Sequence, residues 1–229
     1  MKGKIGHLLN TIYPDLCVGC DQRYPVEGSC FCFHCLSDLP FTGFETEKDN
    51  LVEKFFWGRM SVEKATALFY FHKGELIQEV LHRLKYKNHG YIGRAIGSHY
   101  GKTLDAAHFL EDIDLIVPIP IHKSKRRKRN YNQSALVAAG ISKVTGVKWT
   151  DKALEKHKKT PSQTAKTREE RIEDLLHTFR ISNTDAVTGR HILLVDDILT
   201  TGATLEAAGS ILAELGCQLS IAVVAVGKY

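Results

Sequence analysis

At 229 residues, 43% hydrophobic and 25% charged, the chain has the composition of an ordinary globular protein with room for one sizeable domain and a small appendage. No apolar run is long enough to span a bilayer, which excludes an integral membrane protein of helical type. The net charge of +5 hides an asymmetry: residues 123–171 hold 15 of the 31 Lys and Arg and 4 of the 26 acids, a local +11 against −6 elsewhere. Such segregation points to a polyanionic partner, whether polyphosphate, nucleotide or nucleic acid, with a solvated basic face as the plainer alternative.

The N-terminal MKGKIGHLLNTIYPDL (1–16) has a short, broken apolar stretch and no small-residue cleavage site. It reads as a helix that packs on the protein, and the expected compartment is the cytoplasm. Five of the six cysteines follow within residues 17–35, as CVGC, Cys30 and CFHC. Two C-x-x-C pairs form two tight knuckles, and Cys17, Cys20, Cys32 and Cys35 are expected to close a tetrahedron of thiolates around a structural zinc ion. Disulfides are the competing account and need an oxidising compartment. Cys30 is the spare thiol, and it or His34 are the alternatives to a ligand of this set. Metal binding would then supply most of the folding energy of so small a module.

Residues 40–55 lack clear periodicity and read as a linker, so the expected division is a cysteine module over 1–50 and a larger domain over 51–229. ATALFYFH (65–72) reads as a strand, and 75–86 as a helix with Leu76, Val80, Leu81 and Leu84 at helical spacing. A second helix is expected over 91–104. IDLIVPIP (113–120) is a short β-branched run of the buried parallel kind. A basic loop follows it, then a helix over 134–146. HILLV (191–195) reads as a strand, 204–216 as a helix closed by Gly216, and LSIAVVAVG (219–227) as a last strand. Strands alternating with helices predict an α/β fold with a parallel sheet flanked by helices.

The informative stretch is HILLVDDILTTGATL (191–205). Ligands of such sheets bind at the carboxyl ends of strands, where Asp196 and Asp197 are expected. Beyond them, the turn through Thr200, Thr201, Gly202, Ala203 and Thr204 enters a helix, so its backbone N–H groups and hydroxyls can hold one anion. Ionised carboxylates only accept hydrogen bonds, and a vicinal diol supplies two donors. A diol a few ångströms from a phosphate is a ribose 5-phosphate. A P-loop reading fails because GSHYGKT (97–103) is one residue short of the motif and leaves a helix rather than a strand.

VDDILTTGAT resembles the phosphoribosyl pyrophosphate (PRPP) motif of type I phosphoribosyltransferases. The paired cysteines followed by LSDLP, LKYKNHGYIGRAIG (84–97), IVPIPIHKSKRRKRNYNQSALVA (116–138) and SQTAKTREERIEDLLHTFRI (162–181) resemble the ComF (ComFC/GntX-like) family associated with natural competence. The resemblance implies a type I phosphoribosyltransferase fold carrying a small N-terminal zinc module. It also implies PRPP binding with magnesium by Asp196, Asp197, Thr200 to Thr204, Arg129 and Arg171, with Asp196 and Asp197 at the reacting sugar. Arg129, Asn132 and Gln133 match the family's R-x-x-N-Q portion, Gln163 and Arg171 its later segment, and 156–171 its closing loop. Two readings stay open: a transferase moving the pentosyl group to an acceptor the sequence does not reveal, and a non-catalytic adaptor for single-stranded DNA or a DNA-import helicase.

Overall fold

A buried apolar strand can satisfy its backbone only against other strands, and four runs of this chain do so. The computed structural model describes residues 16–86, 89–157 and 178–227. In chain order these form α1 (Phe33–Asp38), α2 (Leu51–Lys54), β1 (Lys64–Phe71), α3 (Leu76–Arg83), α4 (Gly90–Ala106), β2 (Leu115–Pro118), α5 (Lys123–Arg129), α6 (Gln133–Thr145), β3 (Leu154–Lys156), β4 (Phe179–Ile181), β5 (His191–Leu199), α7 (Ala203–Ala213) and β6 (Gln218–Gly227). The main sheet has the order β1-β6-β5-β2, and every neighbouring pair is parallel. The expected parallel sheet flanked by helices is the observed architecture. The helix expected over 1–16 and most of the loop expected over 156–171 lie outside the described residues.

Both faces of the sheet are covered. On β5, Leu193 and Val195 point into a core shared with α3, α4 and α6, while Ile192 and Leu194 point into a second core shared with α2 and α7. Every residue from 191 to 195 is buried, as a strand covered on both sides requires. The first core also takes in Cys17, Val18, Phe31 and Leu39, so the cysteine segment packs directly on α3 and α4.

Three expectations are corrected. Residues 40–55 are no loose linker. Phe44, Val52 and Phe56 are buried in the second core. The buried Asn50 side chain caps α2, accepting from the N–H of Val52 at 2.9 Å and donating to the Ala65 carbonyl at 2.8 Å. Residues 123–129 form the helix α5 instead of a loop. None of its residues is buried, so no apolar periodicity announced it; it is capped by His122 and ends at Asn130 in a left-handed conformation. The third correction concerns β5, which runs through the two acids to Leu199 rather than ending before them. The antiparallel pair β3-β4 was also missed, since three-residue strands carry too little pattern to read.

The tightest packing joins α4 to α6. Gly93, Gly97 and Gly101 recur every fourth residue along α4. A Cβ at Gly97 would collide with the Val137 carbonyl, and one at Gly140 of α6 with the Arg94 carbonyl. The two helices therefore meet backbone to backbone. Gly97→Ala is expected to destabilise the protein by about 1–3 kcal/mol through overpacking, read as a lower urea midpoint at unchanged slope. An unaltered midpoint would mean that the helices do not meet this closely.

Candidate functional site

β2 stops at Pro118, whose partner is Val195, while β5 continues for four residues beside β6 alone. That step in the sheet leaves one side of β5 open from Asp196 onward. The close approach of α6 then brings the first turn of that helix to the opening, where the Ser134 hydroxyl donates to Asp196 Oδ1 at 2.9 Å. The backbone N–H of Asp197 donates to the same oxygen at 2.9 Å. The sequence placed the acids at a strand end; the structure places them inside a strand whose neighbour has ended.

A cavity of about 270 Å³ opens here, and its lining includes Asp196, Asp197 and Thr204. Lys85, Lys125, Arg129 and Lys156 line it as well. A smaller depression of about 30 Å³ adjoins it, formed by Asp196 and residues 198–205, with Asp196 and Thr204 common to both. Gly202 caps α7 with a left-handed φ of +73°, a conformation that costs a glycine nothing. The depression lies at the start of α7, where the first N–H groups of a helix have no partner within the helix, a setting suited to one anion.

Thr200, Thr201, Gly202, Ala203 and Thr204 thus gather around the small depression, and Asp196, Asp197 and Arg129 around the larger cavity. Gln133 lines the cavity too; its side chain is 1% exposed, and Nε2 has no partner among the described residues. Asn132 instead donates to the Ile119 carbonyl at 2.9 Å and serves packing. Arg171 and Gln163 lie outside the described residues. Sequence reasoning missed Ser134, Lys85 and Lys156 as cavity residues. Lys156 was counted with the closing loop, yet it sits on β3, and only the pairing with β4 fixes it there.

The electrostatics follow from this enclosure. Burial, and then the neighbouring Asp197 carboxylate, push the Asp196 carboxyl up from 3.8 to about 7, against the hydrogen bonds from Asp197 and Ser134 and the charge of Lys156. Burial, with Lys125 beside it, lowers Lys156, which Asp196 partly restores. A cavity lined by four cations and two carboxylates can hold a ligand that carries both negative charge and hydroxyl donors.

A second cluster lies under α3. The sulfur atoms of Cys17, Cys20, Cys32 and Cys35 all fall within 4.8 Å of one another and could hold a metal ion. Cys20 and Cys32 Sγ are 3.9 Å apart, and the Cys32 N–H donates to Cys17 Sγ at 3.1 Å. A Cβ at Gly19 would come within 2.8 Å of Cys35 Sγ, so the knuckles close only over a glycine. Arg83 of α3 ties the first knuckle down, donating to the Val18 carbonyl at 3.3 Å and pairing with Asp21 at 3.4 Å. Cys30 is buried outside this set.

The raised Asp196 carboxyl makes a pH-dependent prediction. The folded protein keeps a proton that the unfolded chain releases near pH 3.8, so this group lowers stability as pH rises from there to about 7. Asp196→Asn removes that penalty. Its melting temperature is expected to gain on the parent across this window and to hold a constant lead above it. A difference that does not vary with pH would show that Asp196 ionises normally.

Among known proteins, the phosphoribosyl transferase domain family matches residues 132–228, which carry α6, the open edge of β5 and the turn into α7. The chain is 26% identical to competence protein F of Haemophilus influenzae over 208 residues, covering 89% of this chain and 86% of that one. It is 28% identical to competence protein ComFC of Bacillus subtilis, across 64% of this chain and 58% of the relative. It is 27% identical to the DNA utilization protein YhgH of Escherichia coli K12, across 61% and 62%. The domain match, the named relatives and the parallel sheet with its four-cysteine cluster support a ComF-family protein of the phosphoribosyltransferase fold.

Proposed function

We propose that the protein binds PRPP together with magnesium and serves DNA uptake during natural competence, in the cytoplasm. The observation that carries the binding assignment is the step in the sheet, which opens Asp196 and Asp197 to a cavity also lined by Lys85, Lys125, Arg129 and Lys156 and adjoining an anion-sized turn. The 5-phosphate occupies the turn of Thr200 to Thr204, where hydrogen bonds to a charged oxygen are worth about 1.5–3 kcal/mol each. The ribose hydroxyls donate to Asp196 and Asp197, and the diphosphate meets Lys85, Lys125, Arg129 and Lys156. Arg171 is the expected contribution of the closing segment. The competence role rests on the names of the relatives.

The same cations are where a leaving diphosphate would gather charge, so the site is built to favour pentosyl transfer. Bound magnesium would add positive charge to that diphosphate. The Asp196 carboxyl, raised by burial and by Asp197 despite the donors Ser134 and Asp197 N–H, gives up its proton as the further donors of the diol arrive.

The four thiols fit zinc. Four sulfurs at about 2.3 Å from a tetrahedral ion lie about 3.8 Å apart, and the Cys20–Cys32 separation of 3.9 Å agrees. Four thiolates leave no position for water, so the role is structural. In the proposed division, residues 1–50 carry this module and 51–229 the phosphoribosyltransferase domain.

Calorimetry with PRPP and magnesium, compared with ATP, tests the binding assignment. Saturable heat for PRPP that disappears in Asp196→Asn with Asp197→Asn, at a retained melting temperature, is the expected result. No heat with either ligand would turn the reading to a non-catalytic adaptor for single-stranded DNA or a helicase. For the cysteine centre, elemental analysis should find one zinc per chain, lost in Cys17→Ser with Cys20→Ser together with a lower melting temperature. Full zinc retention in that variant would show that other residues hold it.

A further inference from the structure

Outside the cavity, one charged side chain is tied to the back of the anion turn by several bonds at once. Arg59 lies in the turn between α2 and β1, remote in sequence from the site it touches. Its Nη1 donates to the Thr201 carbonyl at 2.9 Å and to the Phe55 carbonyl at 3.1 Å. Its Nε donates to Glu206 Oε2 at 3.1 Å, and Nη2 reaches the same oxygen. Glu206 stands in the first turn of α7. The same side chain covers Gly202: a Cβ there would lie 3.4 Å from Arg59 Nη1 and 3.3 Å from the buried Phe56 ring.

We infer that Arg59 is a positioning residue that holds the phosphate turn in its binding shape from behind. The inference rests on the reading of residues 200–204 as the site of a sugar phosphate. Two physical effects meet in this side chain. By holding the Thr201 carbonyl outward, the guanidinium fixes the peptide planes of the turn, so that N–H groups face the anion. By pairing with Glu206, it neutralises a carboxylate that would otherwise sit one turn from a phosphate. A guanidinium presents its donors in a fixed fork and can serve carboxylate and carbonyls together; an ammonium offers a single point of charge.

The test is a 31P NMR titration of the full chain with ribose 5-phosphate, set beside one with inorganic pyrophosphate, for the parent, Arg59→Ala and Arg59→Lys. Ribose 5-phosphate should bind about tenfold more weakly to Arg59→Ala. Arg59→Lys should fall between the two, since it keeps the charge and loses the fork. Pyrophosphate, assigned to the cavity's cations rather than to the turn, should change by less than about twofold. Should Arg59→Ala fail to fold, Arg59→Ala with Glu206→Gln leaves no lone carboxylate and carries the same expectation. Equal weakening of both ligands would reduce Arg59 to a general fold contact, and unchanged ribose 5-phosphate affinity in Arg59→Ala would overturn the inference. Parent-like affinity in Arg59→Lys would show that charge alone suffices, against the bracing role. A parent protein that does not bind ribose 5-phosphate would remove the assignment of the turn itself, and the inference with it.

Discussion

The backbone contact between α4 and α6 is the constraint on which the site depends. Ser134 can reach Asp196, and Gln133 can line the cavity, because α6 lies against α4 with no side chain between them at Gly97 and Gly140. A methyl group at either position would push α6 away from α4. The displacement would be felt at once, because interiors are close-packed and transmit strain. A stripe of glycines far from any ligand therefore sets the distance between the two halves of the cavity.

The second requirement is an interrupted sheet. Had β2 matched β5 in length, Asp196 would face a neighbouring strand, with no room for a ligand. β2 ends at Pro118, and Ile119 makes the last backbone hydrogen bond to β5, its N–H donating to the Val195 carbonyl at 2.9 Å. The chain then turns away and becomes α5, which delivers Lys125 and Arg129 to the cavity. One break in pairing thus opens the pocket and supplies two of its cations. The cost is a carboxylate taken out of water beside another, and the raised Asp196 carboxyl records it.

The segment ahead of the sheet is bound into this arrangement from both sides. The cysteine knuckles share the α3 and α4 core and are held by Arg83. Residues 44–56 fill the core on the opposite face, and Arg59 at their end reaches the turn before α7. Residues 17–59 are therefore structural support for both faces of the sheet that follows.

The sequence by itself determined the features that are periodic or compact along the chain. The apolar runs became the four parallel strands, the amphipathic stretches became α3, α4, α6 and α7, and the two C-x-x-C pairs met as four sulfurs. Each of these signals is local, because a strand, a helix face or a knuckle is defined by residues a few positions apart. The run VDDILTTGAT placed the acids and the anion turn together for the same reason. Tertiary structure decided the rest. Lys85, Lys156 and Arg59 come from three separate elements, and none has a local pattern that marks it out from other exposed cations. α5 was hidden because a helix with no buried face shows no apolar period. The step at Pro118 depends on the register between strands more than seventy residues apart, which only the folded sheet defines.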